Sequence, residues 1–136
     1  MENLFIRRMV FDDIETVKII YSDAFNKKVC KAVDYTKEDI YVVCHFDKVI
    51  GMCMVNYIDD IFIDRRTALV NGVCVDKEYR GKGIGTFLLT KIEEIAIEDG
   101  SDEIMLTSSE KRVCANKLYE KLGFRVYDTN VYKKKI

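Results

Sequence analysis

The sequence predicts an α/β domain with about seven strands, in the order β-α-(α)-β-β-β-α-β-α-β-β. Three observations carry this. An apolar run of strand type ends at Asp76, passes through a glycine-rich turn, and enters a stretch with Ile84, Phe87, Leu88, Ile92 and Ile95 on one helical face. Two further apolar runs, residues 40–46 and 49–57, are joined by Asp47-Lys48 in the manner of a hairpin. The chain has 136 residues, 49% of them hydrophobic, which suits one domain burying roughly two-thirds of its unfolded surface.

In chain order, Leu4-Phe5-Ile6 with Met9-Val10 reads as a first strand. Asp12 and Asp13 read as a helix start, with Glu15 three residues after Asp12 as in a capping box. Ile14, Val17, Ile20, Tyr21, Ala24 and Phe25 follow at helical spacing. Residues 26–39 are polar and read as a loop or a short second helix. The run 49–57 is apolar at nearly every position, which predicts a strand covered on both faces. A connection from Asp59-Asp60 to about Arg66 leads to a strand over 67–75, where Asn71-Gly72 interrupts the alternation and marks a bulge. The long helix ends near Asp99-Gly100, glycine being suited to a left-handed cap. Residues 103–107 read as a fifth strand, 112–122 as a second amphipathic helix ended by Gly123, and 124–127 with 131–133 as a last antiparallel pair. No linker or repeat divides the chain, so it reads as one domain over 1–136.

A net charge of −1 announces neither nucleic acid nor an anionic membrane, and no apolar run approaches the ~20 residues of a membrane span. Cys30, Cys44, Cys53, Cys74 and Cys114 are odd in number and form no C-x-x-C pair. With His45 the only histidine, no metal site is expected, and Ser-His or Cys-His chemistry is disfavoured. His45 itself reads as packed or surface-facing. The expected location is the cytoplasm.

The chemistry concentrates in V-C-V-D-K-E-Y-R-G-K-G-I-G-T, residues 73–86. Gly81, Gly83 and Gly85 let a backbone approach a ligand, the first helical N–H groups are unpaired, and the helix dipole favours an anion there. Arg80 and Lys82 add positive charge. The spacing fits neither the dinucleotide G-x-G-x-x-G, which would put glycine at Thr86, nor a P-loop. A phosphate-bearing ligand is the expected occupant.

R-G-K-G-I-G resembles the R/Q-x-x-G-x-G/A signature of the GCN5-related N-acetyltransferases. About thirty residues on, A-N-K-L-Y-E-K-L-G-F, residues 115–124, resembles that family's A-x-x-x-Y-E-K-x-G-F. The two motifs span about half the chain, and the element order matches over all of it. The resemblance implies a mixed, mostly antiparallel sheet with helices on both faces, and acetyl-coenzyme A as cosubstrate. It implies that backbone groups of Val73 and Val75 pair with the pantetheine arm. Arg80, Gly81, Lys82, Gly83, Ile84, Gly85 and Thr86 would hold the pyrophosphate, and Arg112 or Asn116 the arm or its phosphates. Tyr119 stands where the family places the tyrosine that protonates the departing thiolate; by periodicity alone it would be a core residue beside Leu118 and Leu122.

The chain departs from the family at Asn71, where many relatives carry a glutamate base on the fourth strand. Asp59, Asp60, a water chain or an acceptor of lower pKa stand as alternatives. The implied activity is acetyl transfer to a primary amine by direct attack in a ternary complex. The acceptor is a small molecule or a peptide, and the acids before the fourth strand point mildly to a cationic one. The alternative is a non-catalytic acetyl-coenzyme A sensor of the same fold. The resemblance leaves a homodimer open.

Overall fold

The computed structural model describes residues 1–29 and 39–136. Five strands form one sheet in the order β1-β2-β3-β4-β5: β1 Leu4–Arg8, β2 Asp39–His45, β3 Lys48–Asp60, β4 Arg65–Val75 and β5 Glu103–Met105. The first four pair antiparallel and β5 joins β4 in parallel, so the sheet is mixed as expected. Three helices, α1 Ile14–Phe25, α2 Ile84–Glu98 and α3 Val113–Lys121, cover it.

Side-chain parity divides the core into two layers. Ile40, Val42 and Cys44 of β2 face α1, packing with Val17 and Ile20. Tyr41 and Val43 face the other way, toward Ile84, Leu88, Ile92 and Ala96 of α2 and Tyr119 of α3. Val42, Val43, Cys44 and Ile50 are wholly buried, which explains why these strands read as continuous apolar runs. Leu88 and Ile92, a turn apart on α2, contribute about 2–3 kcal/mol each by leaving water.

The ends of elements differ in instructive ways. α1 is not opened by Asp12 and Glu15. Asp13 is its N-cap residue, but the Asp13 carboxylate serves the 3₁₀ turn Phe11–Asp13 that precedes α1, accepting from the Val10 N–H at 2.8 Å, and accepts from both terminal nitrogens of Arg7 at 2.6 and 3.0 Å. The strands β3 and β4 run four residues from Asp60 to Arg65, shortening the expected connection to a turn over 61–64. α2 begins at Ile84 with Gly83 in the left-handed region at φ 83°, and stops before Gly100 at φ 80°. Residues 26–29 carry no helix, and the rest of the expected loop, Cys30 included, lies outside the described residues.

The last antiparallel pair is not formed. Described residues 122–136 carry no strand, and Val126, Tyr127, Val131 and Tyr132 are 93%, 74%, 68% and 89% exposed. Their apolar side chains are covered by no other residue among those described. Among the described residues the sheet therefore has five strands where the sequence predicts about seven, and β5, three residues long, is an outer edge.

Candidate active site

The site starts from an irregularity in β4. Met52 pairs with Cys74 and Met54 with Asn71, so Gly72 and Val73 together face Cys53. This is the expected bulge, and it flips side-chain parity: Val70 before it and Val73 and Val75 after it all face the α2 layer. Glycine is required at position 72 twice over. Its φ is 63°, and an added Cβ would lie 2.8 Å from the Met54 methyl and 3.3 Å from the Tyr21 ring.

β5 pairs with β4 only over Thr67, Ala68 and Leu69. Beyond Leu69 the outer edge of β4 has no strand partner among the described residues, and a cleft of about 390 Å³ opens there. Asn71, Gly72 and Val73 form its floor; Tyr21 and Phe25 of α1 stand on one side, Leu106, Thr107, Arg112 and Tyr119 on the other. Tyr119 is 6% exposed and lies edge-on to Phe124, with ring centroids 6.0 Å apart. Burial raises its hydroxyl above the usual tyrosine value, and the nearby Arg112 guanidinium partly offsets that. Arg112 is held in turn over the Phe25 ring at 4.9 Å. The Asn116 amide donates to the Ser109 carbonyl at 3.0 Å and so fixes the turn entering α3.

The glycine turn follows the same strand. The Asp76 N–H donates to Ile50 at 2.8 Å, and its carboxylate accepts from the Glu78 N–H at 2.9 Å, closing a 3₁₀ turn over Lys77–Tyr79. The chain then enters α2 through Gly81 at φ 74° and Gly83 at φ 83°, and a Cβ at either would meet open space. No acid lies in the first turn of α2 and no side chain caps it, so its leading N–H groups present an uncontested anion cradle. These residues fit a pyrophosphate.

Three expected ligands have additional work. The Arg80 Nε donates to the Val75 carbonyl at 3.0 Å, and its guanidinium pairs with Asp23 of α1 at 3.1 Å, tying the turn to the first helix. The Lys82 ammonium sits 5.3 Å from the Tyr79 ring centroid. At Gly85 a Cβ would lie 2.9 Å from Leu118, so this glycine lets α2 and α3 approach.

The candidate bases separate from the cleft. Asp59 pairs with Arg66 at 2.7 Å, which holds its carboxyl below the usual range, and Asp60 accepts from the Phe62 N–H at 3.1 Å. Both belong to a rim with Asp64, Asp99 and Asp102, about 20 Å along the sheet from Gly72. His45 is packed between Phe46 and Tyr79, with centroids 4.8 and 5.8 Å away. Among the described residues, no Asp, Glu or His lines the cleft. Sequence reasoning missed Tyr21, Phe25 and Lys27 as cleft residues. The i, i+4 spacing of Tyr21 and Phe25 on α1 was legible only as a core face, and Lys27, just past the helix, carried no signal.

A model of the acetyltransferase (GNAT) family matches residues 7–124. The chain belongs to that family. An uncharacterized N-acetyltransferase of Methanocaldococcus jannaschii is 31% identical over 88% of this chain and 59% of its own length. The glucosamine 6-phosphate N-acetyltransferase of Trypanosoma brucei brucei is 39% identical over 47% of this chain and 42% of its own. This GNAT chain thus spans about half the length of these curated relatives. Among solved structures, a transcriptional regulator from Bacillus halodurans superposes with a TM-score of 0.86 at 23% identity, over 97% of this chain and 99% of that one. That likeness shows a shared fold over 97% of this chain. Among the described residues no helix is long and apolar enough to cross a membrane.

Proposed function

We propose that the protein transfers the acetyl group of acetyl-coenzyme A to a primary amine by direct attack in a ternary complex. The observation that carries this is the parting of β4 from β5 at the Gly72 bulge. The cleft there takes in an open strand edge and Tyr119, and the same strand runs on into the glycine turn and the anion cradle at the start of α2. Acetyl-coenzyme A, when bound, supplies an activated thioester.

The chain's residues would act as follows. The leading N–H groups of α2, with Gly81, Lys82, Gly83, Ile84, Gly85 and Thr86, hold the pyrophosphate, and Arg80 supports the turn from behind. The free edge of β4 at Val73 pairs with the pantetheine arm, while the Val75 carbonyl is already engaged by Arg80. An N–H at the bulge stabilises the oxyanion that develops as the amine attacks. Tyr119 gives its proton to the departing thiolate; its raised pKa keeps it protonated, and therefore a competent acid, throughout the neutral range.

The amine must arrive uncharged, and deprotonating one of pKa near 10.4 at pH 7 costs about 4–5 kcal/mol. With no acidic side chain among the described cleft residues, the field comes from Lys27 and Arg112. Two cations disfavour an ammonium and so lower the amine's pKa. This replaces the cationic acceptor mildly suggested by Asp59, Asp60 and Asp64 with an amine that is neutral or carries its own anionic group.

The test is thiol release from acetyl-coenzyme A across a panel of amines, with Tyr119→Phe alongside. Release by the native chain should fall 10²-fold or more in Tyr119→Phe while acetyl-coenzyme A affinity stays within about threefold, in line with loss of general acid catalysis. The lack of a carboxylate among the described cleft residues favours a second reading, a sensor that binds without turnover. Tight binding with no release from any amine would establish the sensor instead.

A further inference from the structure

We propose that the amine acceptor carries its own anionic group, a carboxylate or a phosphate, and that Lys27 and Arg112 form the subsite that holds it. This rests on the acetyltransferase reading above and commits its acceptor to one chemical class. The first observation is a charge imbalance. Among the described residues lining the cleft, Lys27 and Arg112 are the charged ones, and both are positive. Elsewhere in the fold arginine is neutralised: Arg7, Arg8, Arg65, Arg66 and Arg80 each pair with a carboxylate. Lys27 and Arg112 make no such pair among the described residues. Two like charges sharing one cleft repel each other, and an anion between them relieves that repulsion.

Both cations are also set in place by the fold itself. The Tyr21 and Phe25 rings lie 4.7 Å apart on α1, and the Arg112 guanidinium lies over Phe25, 4.9 Å from its centroid. Stacking occupies one face of a guanidinium and leaves in-plane N–H groups for paired bonds to a carboxylate or phosphate. α1 ends at Asn26 in the left-handed region, φ 50°, and the Lys27 N–H donates back to the Ser22 carbonyl at 3.2 Å. That reversal brings Lys27 to the same wall as Phe25. Asn71 supplies the third observation. A carboxylate at this place on the floor would repel an anionic acceptor, whereas the amide is neutral and can donate to it.

Anion subsite and Gly72 bulge share one cleft of about 390 Å³, so the anion and the attacking nitrogen belong to one small molecule. A bound carboxylate cancels one of the two positive charges, and the other still disfavours protonation of the amine. In the transfer the amine nitrogen bonds the acetyl carbon and the carbon–sulfur bond breaks. Tyr119 gives its proton to the sulfur, the proton shed by the nitrogen passes to solvent, and solvent reprotonates Tyr119.

The experiment measures kcat/KM with acetyl-coenzyme A for matched amines, compared at equal concentrations of the free base. Short ω-amino carboxylates are set against their amides, and 2-aminoethyl phosphate against ethanolamine. An anionic amine should exceed its neutral partner by about tenfold or more, and the two sets show whether carboxylate or phosphate is the anion preferred. Lys27→Met and Arg112→Met should each cut that ratio by about fivefold or more, and Arg112→Lys should recover part of it. Lys27→Glu should turn the preference toward 1,3-diaminopropane, a shift that loss of structure alone does not produce. A native chain that prefers neutral or cationic amines overturns the proposal and leaves the acetyltransferase reading standing, as does a ratio unmoved by every variant. Acetyl-coenzyme A binding with no release from any amine overturns that reading, and this proposal with it.

Discussion

Asp13 shows how much one residue carries in this chain. It is 7% exposed, closes the 3₁₀ turn that leads into α1 by holding the Val10 N–H, and pairs with Arg7 of β1. Asp13→Asn keeps the shape but loses the charge, and should cost about 2 kcal/mol in a denaturant titration. The pairing with Arg7 lowers the Asp13 pKa from 3.8. A depressed carboxylate contributes its full stability above the unfolded value and loses it as pH falls through the folded one. The native chain should therefore lose stability below about pH 4, with a shallower loss in Asp13→Asn; equal slopes would remove Asp13 from the acid response. The sequence marked Asp12 and Asp13 together as the helix start, and Asp13 is the N-cap residue of α1; its pairing with Arg7 was not legible, because that contact is tertiary. Tyr119 was legible through its motif alone. Periodicity assigns it to the core, and it is in fact both buried and at the cleft.

At the scale of the element, the three glycines of the turn divide their labour. Gly81 and Gly83 bend the chain with positive φ and leave open space, whereas Gly85 is a contact between helices. Gly83→Glu places a carboxylate at the helix N-terminus, contesting the site, and should abolish acetyl-coenzyme A binding in calorimetry. Gly83→Ala carries the same backbone strain without the charge and should keep affinity within about tenfold; equal loss in both would put the pyrophosphate elsewhere. Gly85→Val should act through stability, lowering it by about 2 kcal/mol as the valine pushes Leu118 and α3 away. A folded Gly85→Val of native stability would show that the two helices do not depend on this contact. The strand runs, the bulge at Gly72 and α2 were readable because apolar period and glycine position are local signals. The final strand pair was not, since residues 124–133 have the pattern of strands but the pattern does not say which edge, or whose, they meet.

Across the whole molecule, the sheet separates two apolar layers that share few side chains, one under α1 and one under α2 and α3. Element order was enough to foresee this layering, while the distance between the Asp59 rim and the Gly72 cleft was not, because strand length converts to separation only once the hairpin's turn is known. The layering also supplies an internal clock. Cys53 is sealed in the α2 layer, Cys44 and Cys74 in the α1 layer, and Cys114 stands exposed on α3. Burial pushes the Cys74 thiol up to about 12 and that of Cys53 higher still, so neither reacts while its layer is closed. An alkylating reagent followed by mass spectrometry would mark Cys114 at once and each inner thiol only when its own layer opens. Simultaneous labelling of Cys44, Cys53 and Cys74 would mean the protein comes apart as one unit. Earlier labelling of Cys44 and Cys74 would mean that α1 lifts away first, leaving the α2 and α3 side still closed.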